Sequence, residues 1–93
     1  MRFEWDENKN IINTRKHKID FRDVPSVFDA PLLVEYDDRQ NYSEDRWTGI
    51  GLLRGIVVVV VVFTERDVDT IRIISARKAN RYERKQYEEF IKN

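Results

Sequence analysis

The hydrophobic pattern of the chain is dominated by Ile56–Phe63, an unbroken apolar run that holds six consecutive valines. It is far too short to cross a bilayer as a helix. β-Branched residues without alternation predict instead a central strand, Ile56–Thr64, buried on both faces. Two segments before it, Leu32–Tyr36 and Arg46–Leu53, read as strands separated by the polar loop Asp37–Asp45, with Arg54-Gly55 as the tight turn into the central strand. Beyond it, Glu65–Asp69 turns the chain and Thr70–Ala76 reads as a fourth strand. This order predicts a four-stranded antiparallel meander.

Upstream the period changes. Phe3 and Trp5 alternate with Arg2 and Glu4, as in a short opening strand. Asp6 then caps a helix through about Lys16, with Glu7 near its positive end and Lys16, His17 and Lys18 at its negative end. Trp5, Ile12 and Ile19 are seven apart and predict an apolar stripe on the core side. Phe21, Val24, Val27 and Phe28 predict a second helix over roughly Arg22–Phe28. Pro25 costs little in a first turn, which favours Asp23 over Asp20 as its N-cap. From about Lys78 the pattern is helical again, with an irregular apolar face from Ala79 to Ile91. The class is α+β: a short N-terminal strand, two helices, the meander and a C-terminal helix. No repeat, low-complexity tract or linker interrupts it, so residues 1–93 read as a single domain.

Composition narrows the chemistry. Charged residues make up 37% and hydrophobic residues 41%, enough for one modest core. There is no cysteine, which excludes a disulfide framework and any thiolate metal site, and one histidine cannot build a usual zinc site. No metal or other cofactor is expected. No basic segment followed by an apolar stretch opens the chain, so a secretory signal is not expected and the predicted compartment is the cytoplasm. Net charge is zero but uneven: residues 1–46 carry 8 Lys/Arg against 11 Asp/Glu, and residues 47–93 carry 9 against 6. Six of the later cations lie within Arg72–Lys85, a local basic face suited to short-range phosphate contact.

The segment Ile71–Ala79, IRIISARKA, is the most informative. Regular alternation puts Ile71, Ile73 and Ser75 on one face and Arg72, Ile74 and Ala76 on the other. A guanidinium in an otherwise apolar strand needs a carboxylate or a phosphate. With FEWDENK (Phe3–Lys9), Asn13, Lys16-His17, Phe21, Val27-Phe28-Asp29, Glu44 and Arg46, Ile50-Gly51, FTER (Phe63–Arg66) and Glu83-Arg84, this segment makes the chain resemble the BrnT family of type II toxins. The blocks run almost end to end, and their order and spacing carry the likeness more than any one of them. Lys18 stands where the family usually has a glycine, so the helix is expected to end differently there; Ser43 replaces another glycine before the Glu-x-Arg pair.

The resemblance implies a RelE-like fold and a small, metal-independent endoribonuclease that inhibits translation. It also implies a BrnA-like ribbon-helix-helix antitoxin through which the complex, though not this chain, would bind DNA. No membrane association is implied.

Metal-free RNA cleavage needs a group to take the proton from a 2′-hydroxyl, one to stabilise phosphorane charge and one to protonate the leaving oxygen. His17 titrates near neutrality and could be acid or base; the plainer reading is a cation at a helix end. Glu44 and Arg46, on one side of a strand start, read as a base and a phosphate clamp, or as a cross-strand ion pair. Arg66, with Glu65, closes the central strand and either lines a site or keeps a turn soluble. Arg72 and Arg77 are phosphate ligands, or respectively a salt bridge to Glu4 or Glu44 and a solvated turn residue. Lys16, Lys78, Arg81 and Arg84 would track an RNA backbone; the alternatives are a solvated helix face and an acidic antitoxin segment laid over it. Tyr82, Tyr87 and Trp47 could stack on a base, though packing explains them as well. Together with the resemblance, these residues favour an RNA-cleaving toxin with RNA lying near His17. The rival reading is a decayed toxin that only binds its antitoxin, and a plain RNA-binding domain is third because the usual aromatic-rich strand pair is missing.

Overall fold

Arg2–Glu4 forms the first strand, β1, and Asp6 ends it by turning the chain into helix α1, Glu7–His17. The computed structural model describes residues 1–93. The Asp6 carboxylate accepts from the backbone N–H of Asn8 at 2.8 Å, an ordinary N-cap. At the other end Lys18 itself adopts the left-handed conformation (φ 61°, ψ 29°), and its N–H donates to the Thr14 carbonyl. The helix therefore ends as it would with glycine, contrary to expectation, and the lysine bears the conformational cost.

The apolar stripe predicted across α1 holds only at its flanks, where Ile19 is buried in the main core and Trp5 packs against it. Within the helix Ile12 is 63% exposed, and the buried residues are Asn10 and Asn13. The reason is what α1 packs against. Asn13 lies over the part of the last strand that β1 is too short to reach, where backbone groups need polar partners. Its Nδ2 donates to the carbonyls of Ala76 (2.9 Å) and Ile19 (3.0 Å), and its Oδ1 accepts from the Ala76 N–H at 3.1 Å. Asn10 likewise accepts from the Phe21 N–H.

Phe21–Asp29 is a 3-10 helix, capped by Asp20, whose carboxylate accepts from Arg22 N–H; the expected cap, Asp23, lies inside the first turn. Phe21, Val24 and Val27 are spaced by three, and a period of three residues per turn lines all of them up on the core, fully buried. Pro25 sits in the interior of this helix, not its first turn.

The remaining strands are β2 (Leu33–Tyr36), β3 (Trp47–Leu53), β4 (Val57–Asp67) and β5 (Thr70–Lys78), followed by α2 (Arg81–Lys92). They form one five-stranded mixed sheet in the order β1-β5-β4-β3-β2, antiparallel except for the parallel β1–β5 pair. Arg54 and Gly55 both have positive φ in the predicted tight turn, but Ile56, expected to open β4, belongs to the connection, since Leu53 pairs with Val57. β4 runs three residues further than expected and β5 two, so the turn between them shrinks to Val68-Asp69 and α2 begins at Arg81 rather than near Lys78. Asn80 and Glu83 close a capping box at its start.

The valine run is buried on both sides. Val59, Val61 and Phe63 join the main core with Phe21, Val24, Val27, Ile71 and Ile73. Val60 faces the other way into a smaller core with Ile50, Ala79 and Tyr87 from α2. That helix covers only part of its face, and the uncovered part holds the site.

Candidate functional site

Arg72 and Arg77 are five residues apart, so a regular strand would put them on opposite faces. They share one face because β5 is bulged. Phe63 pairs with Ile73 and Val62 with Ser75, which leaves Ile74 as an extra residue. The bulge corrects the predicted alternation: Ser75 joins Arg72 on the open face, while Ala76 is fully buried in the main core. Just past the bulge, the Asn13 amide holds both backbone groups of Ala76. A second irregularity leaves Arg66 unpaired in β4, between Glu65 and Asp67.

The registers then arrange the open face in rows. Arg46, Thr64, Arg72 and Glu4 stand side by side across β3, β4, β5 and β1, the first of them by continuing the β2–β3–β4 ladder one residue. The next row is Glu35, Thr48, Val62 and Ser75, and the third is Leu33, Ile50, Val60 and Arg77. The outer rows are about 13 Å apart, four strand residues, with the small side chains of Thr48, Val62 and Ser75 between them and Glu35 at the β2 end. The result is a trough with a low floor and arginines along both walls.

At the Arg77 wall, that guanidinium is held by Glu83 of α2 through two bonds of 2.8 Å. This partner was not foreseen for Arg77, and it pulls the Glu83 carboxyl below its usual range. Thr48, Ile50, Val60 and Arg77 line a cavity of about 270 Å³ that Arg39 and Asp37 close from the loop. Asp37, with a side chain 1% exposed, grips Arg39 at 2.7 and 2.8 Å. His17 and Lys16 line an adjoining cleft of about 220 Å³ with Asn13, Ile74 and Ser75. Burial, then the charges of Lys16 and Arg77, lower the His17 pKa, so the imidazole is neutral at neutral pH and able to accept a proton.

At the other wall Arg72 pairs with Glu4, one of the two carboxylates anticipated for it. Arg66 bridges Glu4 (3.8 Å) and Glu44 (3.5 Å). Glu44 and Arg46 are therefore not paired with one another. Arg46 lies instead over the Tyr42 ring, 3.9 Å from its centroid. Its Nε is buried with no hydrogen-bond partner, and it is the only arginine of the trough without a carboxylate within ion-pair reach.

The structure thus brings His17, Arg46, Arg72 and Arg77 around one floor, with Lys16 at its edge and Glu44 and Arg66 in an ion cluster beside it. Of the expected basic helical stripe, Arg81 and Arg84 lie on the helix and Lys78 does not. Lys78 belongs to β5 and pairs with Val59, on the face opposite Arg77. Arg81 and Arg84 are exposed on α2. Tyr87 is core, its hydroxyl donating to the Pro31 carbonyl at 2.7 Å, and Trp47 packs edge-on to Tyr36 on the opposite face of the sheet. Sequence reading missed Arg39 and Asp37, hidden in a polar loop. It also missed Glu83, although a lone acid three residues after Asn80 signals a capping box. No cluster of three or more His, Asp or Glu side chains is placed to hold a metal ion, and no helix is long and apolar enough to cross a membrane.

A family model described as the ribonuclease toxin BrnT of type II toxin–antitoxin systems matches residues 5–83. The chain belongs to the BrnT family. The chain is also similar to the Brucella abortus ribonuclease toxin BrnT, known from a crystal structure at 1.1 Å: the two are 26% identical, with a TM-score of 0.66 over 87% of this chain and 99% of that one. No curated protein matches it. The trough and every residue assigned to it fall within the span that matches the BrnT model, apart from Glu4, the partner of Arg72.

Proposed function

We propose that this BrnT toxin cleaves RNA without a metal ion, by attack of a 2′-hydroxyl on the adjacent phosphate, with the strand lying in the arginine trough. The observation that carries the reading is the bulge at Ile74, which sets Ser75 and Arg77 on the same open face as Arg46 and Arg72. His17 takes the 2′ proton. The 2′ oxygen bonds to phosphorus, the bond to the 5′ oxygen breaks, and that oxygen takes a proton from the imidazolium or from water, leaving a cyclic phosphate. Arg77 stabilises charge on the phosphorane. Because the walls stand about 13 Å apart, Arg46 and Arg72 grip a neighbouring phosphate rather than the same one. Lys16 extends the contact past His17, and Glu44 and Arg66 buttress Arg72 through Glu4. Lys78, Arg81 and Arg84 contribute only outlying charge.

The fold is read as RelE-like and residues 1–93 as one toxin domain. The antitoxin is read as a ribbon-helix-helix protein that carries the complex to DNA, and the setting as the cytoplasm, where cleavage would stop translation. The test is free total RNA incubated with the purified protein in EDTA, beside Arg77→Ala shown folded by circular dichroism. Cleavage by wild type alone supports the reading, whereas equal cleavage by both removes Arg77 from the site. The second reading, a module that binds its partner without cleaving, is favoured by one feature: Arg39, Arg72 and Arg77 are already paired with carboxylates. Intact RNA in both reactions would point to this module or to ribosome-dependent cutting.

A further inference from the structure

The face of the sheet opposite the trough carries a second concavity. Phe28, Leu32, Val34, Trp47, Phe63 and Ile71 line a cleft of about 350 Å³ that the 3-10 helix leaves uncovered. Its rim is acidic. Glu65, Asp67 and Asp69 border it, and no Lys, Arg or His side chain lines it; the cations nearby are the N-terminal ammonium, 3.3 Å from Asp69, and Arg2, whose charge acts on Asp67. Val68, fully exposed in the β4–β5 turn, extends the apolar surface past the rim. A nucleic acid would be repelled here, while the arginines of the trough lie on the other side of the sheet.

Along one side of the cleft runs β2, the outermost strand. The Asp37 N–H donates to the Arg46 carbonyl, and this fixes the phase of the β2–β3 ladder. The bonded positions are Leu33, Glu35 and Asp37, so the N–H and C=O of Val34 and Tyr36 point outward, where no strand lies. The side chains of the same two residues are 44% and 53% exposed, and by their pairing they stand on the cleft side of the sheet.

An unused strand edge, an apolar cleft beside it and a carboxylate rim together define a complementary ligand. It is an extended polypeptide with apolar side chains at alternate positions and lysine or arginine flanking them. We propose that the antitoxin docks such a segment along β2 and into this cleft, on the face opposite the trough. The proposal rests on the family's having an antitoxin partner, and on no catalytic assignment within the trough.

Trp47 lies in the cleft and Trp5 packs against Phe21 in the main core, so tryptophan emission reports on occupancy. The full chain is titrated with its antitoxin, by emission and by calorimetry. The variants compared with wild type are Val34→Glu, the pair Asp67→Lys with Asp69→Lys, and Arg77→Ala. The first two are expected to weaken binding at least about tenfold while leaving RNA cleavage at the wild-type level. Arg77→Ala is expected to bind the antitoxin as wild type does. Wild-type affinity in both cleft variants, or loss of affinity on Arg77→Ala, would place the partner over the trough or α2 and overturn the proposal. If Val34→Glu melts early, the lysine pair on the exposed turn decides alone. Absence of RNA cleavage in wild type would leave these affinities meaningful, so failure of the ribonuclease reading is told apart from failure of this one.

Discussion

Replacing Asn13 by alanine should destabilise the fold far more than loss of one surface amide would. The variant strips Ala76 of both partners for its backbone, at a residue with no solvent exposure. The Ile19 carbonyl keeps the Thr14 hydroxyl at 3.3 Å, so two groups rather than three are orphaned. Each buried unpaired group costs about 1–3 kcal/mol, so the expected loss is about 3 kcal/mol. That is a large part of the roughly 5–14 kcal/mol available to a chain of this size, and a fall in Tm on the order of 15 °C. Urea unfolding followed by tryptophan emission measures the loss, and hydrogen exchange at the Ala76 amide localises it. Asn13→Asp keeps the acceptor but loses both donations and buries a charge, so it should be at least as damaging at neutral pH. A cost below about 1 kcal/mol, with Ala76 still protected, would refute the reasoning. The functional arm is a double-mutant cycle on RNA cleavage with Arg77→Ala, run where every variant is folded. If Asn13 acts by fixing the bulge that aims Arg77, the two losses will not add.

Three further outcomes are expected. Lys18→Gly should stabilise by about 0.5–1 kcal/mol, because Lys18 holds a left-handed conformation that glycine adopts freely, and a lower melting temperature would contradict this. Gly51→Ala should cost about 1–3 kcal/mol, since a Cβ there would meet Val27 Cγ1 at 2.8 Å and Leu32 Cδ1 at 3.0 Å; an unchanged urea midpoint would mean that both side chains relax. The third concerns acid. Asp20, Asp37 and Glu83 are held below the usual carboxyl range by hydrogen bonds from Arg22, Arg39 and Arg77. Their contribution is complete above the unfolded values near 4 and is lost as pH falls through the lower folded ones. The urea midpoint should therefore drop below about pH 4, and less steeply in Asp37→Asn. An equal slope in that variant would exclude the Asp37–Arg39 pair as a contributor.

The valine strand, the Arg54-Gly55 turn and the Asp6 cap were readable because each rests on a local rule: uninterrupted β-branching, positive φ, a side-chain acceptor before a helix. Burial of Asn10 and Asn13 was not, since the groups they satisfy include Ala76, 63 residues away from Asn13 along the chain. The 3-10 helix had a signal in the strict spacing of Phe21, Val24 and Val27, but α and 3-10 periods are hard to separate over two turns. Of the site, the arginines themselves were legible by type. Their grouping was not: alternation alone sends Arg72 and Arg77 to opposite faces, and no residue in IRIISARKA announces the bulge that reunites them. Arg39 and Asp37 gave no warning because a polar loop is expected to be charged.

The bulge has a consequence for how sequences of this kind are compared. Removing Ile74 would give β4 and β5 a regular ladder with Ser75 still opposite Val62 and Arg77 still opposite Val60, so both would keep the open face. Losing Ala76 instead would bring Arg77 opposite Val61 and drive its guanidinium into the packed hydrocarbon of the main core. Among relatives, a one-residue gap at Ile74 is therefore compatible with the same trough, whereas one between Ser75 and Arg77 foretells lost chemistry more surely than most substitutions would. A gap between Asp38 and Ser43 would mainly change how Arg39 reaches the wall.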